Sequence, residues 1–180
     1  MRVIAGTLKG RRLATPDWEG LRPTSDKLRE TLFNVVAARV AQARVLDGFA
    51  GTGAVGIEAL SRGAAHVTFV EADGRAVRLI ERNLVHCGVA DRYAIIRARF
   101  AGAAGTLAAG SFDLIFLDPP YRAEDMTAVL GAAAPLVAPD GLVVLEHARR
   151  DGAPAGAGSI VKTRDILSGD SALTLYRACE

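Results

Sequence analysis

The sequence contains little of what marks secreted, membrane-embedded or metal-binding proteins. Its 180 residues include only two cysteines, Cys87 and Cys179, without C-x-x-C spacing, and its three histidines are isolated from one another. We therefore expect neither a structural disulfide nor a metal site. No apolar run approaches the roughly 20 residues that a membrane-spanning helix needs. The N-terminal residues lack the long apolar stretch of a signal peptide, so we expect a cytoplasmic protein that does not contact a membrane.

The excess of positive charge is small but unevenly spread. Half of the residues are hydrophobic, 23% are charged and the net charge is +2, a composition typical of a globular chain. Residues 1–15 hold basic side chains and no acidic one. Such a basic end predicts contact with an anion such as a phosphate backbone, although an ordinary solvated surface would look the same. The candidate contact residues are Arg2, Lys9, Arg11, Arg12 and Arg22.

The order of apolar and polar segments predicts one α/β domain. Residues 1–23 are expected to form a small hairpin and a loop, and residues 24–180 a core that begins with a helix capped by Thr24 or Ser25. Strands are predicted at 45–47, 66–71, 94–96, 112–117 and 142–146, with helices between them. Such nearly continuous apolar strands indicate a mostly parallel sheet with helices on both faces. A loop at 151–159 and a closing hairpin of strands 160–162 and 172–176 are expected to follow.

A glycine-rich loop follows the first predicted strand. In an open parallel sheet, ligands bind beyond the carboxyl ends of the strands, and glycines let the backbone approach a ligand closely. Asp47 can hold a cationic end of a cofactor, and Glu71, which ends the second strand, can accept both hydroxyl groups of a ribose. The predicted cofactor-binding residues here are Asp47, Gly48, Phe49, Gly51, Thr52, Gly53 and Glu71.

The same loop also fits the dinucleotide pattern G-x-G-x-x-G, from Gly51 to Gly56. Glycines that serve only helix–strand packing are a further interpretation. An acidic residue before the glycines suits a methionine-bearing ligand better than a pyrophosphate. The later Asp-Pro-Pro-Tyr motif has no role in hydride transfer. Together these features favour S-adenosylmethionine over NAD.

The motif Asp118-Pro119-Pro120-Tyr121 directly follows the fourth predicted strand. The exocyclic amine of guanine or adenine is a poor nucleophile, because its lone pair is delocalised into the ring. The carboxylate of Asp118 and the carbonyl of Pro119 could each accept one N–H and turn that lone pair towards an incoming methyl group. The paired prolines would fix the loop, and Tyr121 would stack on the extruded base. These four residues are the predicted catalytic set, and a plain turn is the alternative.

These motifs resemble those of the bacterial 16S ribosomal RNA guanine-N2 methyltransferases. The most specific segment is 21–34, which methyltransferases in general do not share, and the resemblance extends to about residue 150. It implies a Rossmann-like class I methyltransferase fold, S-adenosylmethionine as the cofactor, and methylation of one guanine N2 in the 16S rRNA of the small ribosomal subunit. It also implies that the basic N-terminal residues bind RNA and that Thr24 lies near the cofactor. At residues 97–100 the sequence departs from the family pattern, so the residues that contact the cofactor adenine are not assigned.

Three other functions fit parts of the sequence. An adenine-N6 methyltransferase uses the same Asp-Pro-Pro-Tyr motif, but such enzymes usually carry a separate target-recognition region, for which this chain has little surface to spare. An NAD-binding oxidoreductase fits the glycine loop alone. A non-catalytic RNA-binding assembly factor fits the basic end but leaves residues 118–121 unexplained. Because no exposed apolar stripe is evident, we expect a monomer.

Overall fold

The computed structural model describes residues 1–19, 24–120 and 125–179. The α-helices in these ranges are α1 (Asp26–Val35), α2 (Ala37–Val40), α3 (Ala54–Ser61), α4 (Gly74–His86), α5 (Phe100–Ala104) and α6 (Met126–Ala133). The strands are β1 (Arg44–Asp47), β2 (His66–Glu71), β3 (Tyr93–Arg97), β4 (Phe112–Leu117), β5 (Val137–Ala148), β6 (Gly156–Ala157), β7 (Ile160–Ser168) and β8 (Ser171–Ala178). Short 3-10 helices cover Ala134–Leu136 and Arg149–Asp151.

The strands form one sheet in the order β3-β2-β1-β4-β5-β8-β7-β6. The five strands from β3 to β5 in this order pair in parallel, and β8, β7 and β6 pair antiparallel with their neighbours. This confirms the mostly parallel α/β sheet and the closing hairpin. The predicted loop at 151–159 is wrong in part, because it contains β6. A Cβ at Gly156 would lie 2.5 Å from the carbonyl oxygen of Ile160, so a glycine permits this close pairing. Because a glycine has no side chain, this short strand shows no apolar pattern in the sequence.

The parallel strands send alternate side chains to opposite faces, and each face has its own core. Val45, Val67 and Leu114 belong to the core that α1, α3 and α4 cover, together with Val3 and Leu13 of the N-terminal segment. Leu46, Val70 and Ile115 are among the strand residues of the other core, which α5 and α6 cover. Helices on both faces of the sheet are thereby confirmed.

Helix α1 leads the chain into the core. Ser25 caps it, and its hydroxyl oxygen accepts a hydrogen bond from the Leu28 N–H at 3.1 Å. The helix ends at Val35, and the separate short helix α2 follows at Ala37–Val40. Leu28 and Leu32 are buried. Thr24, just before the cap, lines the cavity described below.

The basic N-terminal segment is bound to the core through α3. Arg2 and Arg12 form an antiparallel bridge, in agreement with the predicted hairpin. The N–H groups of Ile4 and Ala5 donate to the two carboxylate oxygens of Glu58, at 2.7 and 2.9 Å. Because the Glu58 side chain is fully buried, this contact fixes the hairpin from inside the protein.

Two cations surround the Glu58 carboxylate. Arg62 binds it at 2.8 Å, and Nε of the fully buried Arg29 lies 3.9 Å from it. Arg29 also donates to the carbonyl of Arg2 and to Asp26. Burial lowers the pKa of the Arg29 guanidinium, and the charges of Asp26 and Glu58 oppose that shift. The charged cluster therefore joins α1, α3 and the hairpin.

Sites of other classes find little support in the described parts of the chain. No helix there has the length and apolar character needed to cross a membrane. Cys87 and Cys179 are both free thiols. Residues 1–19, 24–120 and 125–179 contain no group of three histidine, cysteine or acidic side chains that could hold a metal ion.

Candidate active site

Three carboxylates meet at the carboxyl ends of the central strands. The strand order reverses at β1, which lies between β2 and β4, and this is where ligands bind in open α/β sheets. Asp47 ends β1 and lies opposite Phe69 of β2 and Phe116 of β4. Glu71 and Asp118 stand two positions further along those neighbouring strands. The topology therefore brings together the acidic residues of both predicted motifs.

The glycine loop stays against the strand ends. The Gly48 N–H donates to the carbonyl of Phe116 at 2.9 Å, and the Ala50 N–H donates to that of Val70 at 3.0 Å. A Cβ at Gly48 would lie 2.8 Å from both Leu117 and Phe100, so no larger residue fits without displacement. The glycine therefore lets the loop backbone lie close to the strand ends, as in a ligand-binding loop.

The glycines of this loop have different roles. Gly51 and Gly53 adopt positive φ angles, 55° and 77°, which favour glycine. A Cβ at Gly56 would lie 2.2 Å from the ring of Phe69, so this glycine lets α3 pack on β2. Packing thus explains Gly56, whereas Gly48 and Gly51 belong to the turn that faces the cavity.

Asp47 is almost completely buried beneath the loop and has an unusual pKa. One of its oxygens accepts the Gly56 N–H at 3.0 Å. Burial raises the pKa of Asp47 to about 7; the Gly56 hydrogen bond opposes this shift, and the negative charges of Asp118 and Glu71 add to it. A cation placed among these carboxylates would favour the ionised form of Asp47.

Glu71 holds the loop from the β2 side. Its Oε2 accepts the Gly51 N–H and its Oε1 accepts the Asp73 N–H, each at 2.8 Å. Each carboxylate oxygen can accept a further hydrogen bond. The predicted contact with two ribose hydroxyl groups is compatible with this geometry and stays a prediction.

A cavity of about 800 Å³ opens above these carboxylates. The predicted site residues that line it are Thr24, Asp47, Gly48, Phe49, Gly51, Thr52, Glu71, Asp118, Pro119 and Pro120. Gly53 does not line it but caps α3 against Ile80. Tyr121 and Arg22 lie outside the described residues. The structure thus collects most of the predicted cofactor and catalytic residues around one space.

The cavity also has walls that the motifs did not indicate. Phe100 begins α5, and its ring lies 5.3 Å from that of Phe49 at an interplanar angle of 34°. Ala98 and Arg99 line the same wall, at the position where the family pattern is not followed. Glu146, near the end of β5, lines the side next to Asp118. Its place at the end of a predicted parallel strand was the signal that could have identified it.

The remaining cavity wall comes from the N-terminal segment. The Arg75 guanidinium of α4 lies 5.1 Å from the ring centre of Trp18, and both residues line the cavity. The predicted RNA-binding residues Arg2, Lys9 and Arg11 are exposed, as is Arg12. Their exposure is consistent with the predicted role but does not test it.

Similar proteins identify the family. A family model described as Conserved hypothetical protein 95 matches residues 1–177. Ribosomal RNA small subunit methyltransferase D of Escherichia coli strain K12 is 34% identical over 181 residues, which cover 98% of this chain and 89% of that protein. The chain belongs to this family. YlbH of Bacillus subtilis, an rRNA methyltransferase by name, is 36% identical over 98% of each chain.

A solved structure supports the same assignment. The yhhF protein of Escherichia coli superimposes with a TM-score of 0.86 at 32% identity, over 99% of this chain and 97% of that one. The fold is accordingly that of the class I methyltransferases, as the sequence motifs implied. The name of the Escherichia coli relative is that of a methyltransferase of small-subunit ribosomal RNA.

Proposed function

We propose that this protein transfers a methyl group from S-adenosylmethionine to the exocyclic N2 amine of a guanine in the 16S rRNA of the small ribosomal subunit. One observation carries the proposal: Asp118 and Pro119 line the same cavity as Asp47 and Glu71, at the carboxyl ends of adjacent strands. The cofactor and base motifs are thus side by side, as a direct transfer between two bound molecules requires. The names of the relatives supply the substrate class.

The residues that line the cavity suit S-adenosylmethionine in charge. The cofactor is a methyl donor with a cationic sulfur and an ammonium group, and Asp47 lies among further carboxylates in a low-dielectric position. Gly48 leaves no side chain between the loop and Leu117 or Phe100, so the loop stays low beneath the cavity. Glu71 would accept the ribose hydroxyls, and Phe49 with Phe100 would face the adenine ring. Thr24 would close the cavity from the α1 side.

The chain's own groups can activate an aromatic amine. The carboxylate of Asp118 accepts one N–H of guanine N2 and the carbonyl of Pro119 accepts the other, so the nitrogen lone pair points into the cavity. S-adenosylmethionine would supply the methyl group, its C–S bond breaking as the N–C bond forms, and Asp118 or water would take the proton lost from nitrogen. Rate is gained from orientation, without a covalent intermediate on the protein.

The rival functions fit these contacts less well. A dinucleotide pyrophosphate is favoured by free backbone N–H groups at the glycine loop, whereas here Glu71 takes the Gly51 N–H and Asp47 takes the Gly56 N–H. A factor that only binds RNA does not need carboxylates crowded at the strand ends, where their mutual repulsion is costly. We further propose that the enzyme acts as a cytoplasmic monomer and that Arg2, Lys9, Arg11, Arg12 and Arg22 bind the RNA.

Substrate class is tested by transfer of radiolabelled methyl groups. Small ribosomal subunits, large subunits and duplex DNA are each incubated with the protein and labelled S-adenosylmethionine. The subunits are taken from cells that lack an enzyme of this family, so that the target base is unmethylated. We expect label only in the 16S rRNA of small subunits. Label in DNA would favour the adenine-N6 enzyme, and no transfer to any substrate would refute the proposal.

The affinity for S-adenosylmethionine is expected to rise with pH. Asp47, whose pKa burial raises to about 7, is neutral at lower pH and then attracts a cation less. Binding about tenfold weaker at pH 6 than at pH 8 is expected by titration calorimetry. Asp47→Asn should bind weakly at both pH values. A wild-type affinity that does not change with pH would contradict the role of Asp47.

Thermal unfolding provides the control for that variant. A carboxyl group whose folded pKa is raised stabilises the fold less as pH rises from about 4 to 7, because the unfolded chain ionises first. In the variant, the asparagine side chain keeps a carbonyl oxygen for the Gly56 N–H and carries no charge. Asp47→Asn should therefore be at least as stable as the wild type at pH 8, so weaker binding cannot be ascribed to unfolding.

A further inference from the structure

Helix α4 exposes three arginines on one face. Arg75, Arg78 and Arg82 follow the i, i+3, i+7 spacing that places side chains on one stripe of a helix, and all three are exposed. The opposite face is packed into the core by Ala76, Leu79, Ile80, Asn83 and Leu84. We name Arg75, Arg78 and Arg82 the α4 arginine stripe. None of the sequence motifs described above includes it.

A second basic segment lies against the same helix. Residues 11–18, here called the strap, run along α4 in the opposite direction. Nη1 of Arg11 donates to the carbonyl of His86 at 3.2 Å, and the Ala14 N–H donates to Oδ1 of Asn83 at 2.8 Å. Trp18 then reaches Arg75 at the start of the helix. The strap therefore contacts α4 near both of its ends and meets the α4 arginine stripe at Arg75.

The two segments together carry more positive than negative charge. Arg75 forms an ion pair with Asp73 at 2.8 Å, and the charge of Arg78 also helps to lower the pKa of Asp73, whereas Arg82 forms no ion pair with the described residues. Glu81 is exposed three positions after Arg78, beside it on the helix surface, and offsets one of the positive charges there. The strap adds Arg11 and Arg12, both exposed, and the acidic Asp17 near its end.

The path of this basic surface indicates its partner. It begins at the hairpin, and it ends at Trp18 and Arg75, which line the cavity. Arg78 and Arg82 are about 6 Å apart along the helix axis, so each can reach a separate phosphate group. Guanidinium groups bind phosphate oxygens in a bidentate manner and favour nucleic-acid backbones. An extended polyanion is the ligand that such a row of cations suits.

We propose that the α4 arginine stripe and the strap form one RNA-binding surface, which holds the phosphate backbone of the substrate rRNA beside the cavity. The proposal rests on the proposed function and extends its RNA contacts from the hairpin to α4. The surface positions the RNA through its backbone and does not select a sequence.

The test compares two double variants of equal charge. Arg78→Ala/Arg82→Ala removes two stripe residues. Arg164→Ala/Arg177→Ala removes two exposed arginines from β7 and β8. These strands lie towards the other end of the strand order from β2 and β3, which α4 contacts. Binding of a protein-free 16S rRNA fragment is measured over a series of salt concentrations. We expect the stripe variant to bind about tenfold more weakly and to lower the log–log salt slope by about 1.5. The control variant should match the wild type.

The outcomes separate this proposal from the proposed function. An unchanged affinity of the stripe variant, or an equal loss in the control, would overturn the RNA-binding surface. So would a loss seen with intact small subunits but not with protein-free RNA, which would indicate a protein partner. Wild-type protein that binds the RNA with the expected salt dependence but transfers no methyl group would count against the proposed function alone.

Discussion

Replacing Asp118 with alanine is expected to reduce methyl transfer by at least about 10³-fold, because the amine then loses the carboxylate that orients its lone pair. Affinity for S-adenosylmethionine should change little, since Asp47 and Glu71 remain in place. Removal of the Asp118 charge weakens the attraction for the cationic cofactor, but it also lowers the repulsion that raises the pKa of Asp47, and the two effects oppose each other. Single-turnover transfer and calorimetric titration of the cofactor measure the two effects separately.

Two further variants complete that experiment. Asp118→Asn keeps the shape of the side chain and one acceptor oxygen, so it should retain more activity than Asp118→Ala. Asp140→Ala removes an exposed aspartate outside the cavity and should behave like the wild type. Activity of the Asp118→Ala protein above about a tenth of the wild-type rate would contradict the assigned role, and so would an equal loss of cofactor binding.

Replacing Glu58 with alanine is expected to destabilise the fold by about 3–5 kcal/mol. The fully buried Arg29 and the partly buried Arg62 would lose an ionised partner. The N–H groups of Ile4 and Ala5 would lose their acceptors at the same time. Because this carboxylate holds the start of the hairpin to α3, residues 4 and 5 should loosen before the core unfolds, while the N–H groups of Thr7 and Leu8 stay bonded to Ser61. Chemical denaturation followed by circular dichroism measures the change in unfolding free energy.

A glutamate on α1 supplies the control for Glu58. Glu30 is exposed, so Glu30→Ala should change the unfolding free energy by no more than about 0.5 kcal/mol. Faster exchange of the Ile4 and Ala5 amide hydrogens in the Glu58→Ala protein would show that the start of the hairpin is released. A destabilisation below about 1 kcal/mol would mean that the buried charges find other partners.

The sequence predicted the central parallel strands closely because β2 and β4 are buried along most of their length. The bounds of β2 and β4 are those predicted, since each is a mostly apolar run that ends at a carboxylate or just before one. Because both residues come at the carboxyl ends of predicted parallel strands, Glu71 and Asp118 were expected at the same end of the sheet. The antiparallel half was harder to predict from the sequence, because β7 is exposed along most of its length and has no run of buried residues.

Other parts of the site depend on contacts between distant segments. Nothing in the local pattern shows that Glu58 is buried, because its partners Ile4, Ala5 and Arg29 come from other elements. The contact of the strap with α4 joins residues far apart in the chain, such as Arg11 and His86. The raised pKa of Asp47 likewise follows from burial and from carboxylates on neighbouring strands. Spacing in a sequence does not report such tertiary effects.

Identification of the methylated nucleoside tests the central claim most directly. Small subunits labelled by the protein are digested to nucleosides, which are separated and compared with standards. The cavity chemistry and the family relationship predict label in N2-methylguanosine alone. Label in N6-methyladenosine, with none in N2-methylguanosine, would keep the amine chemistry of Asp118 and contradict the proposed base.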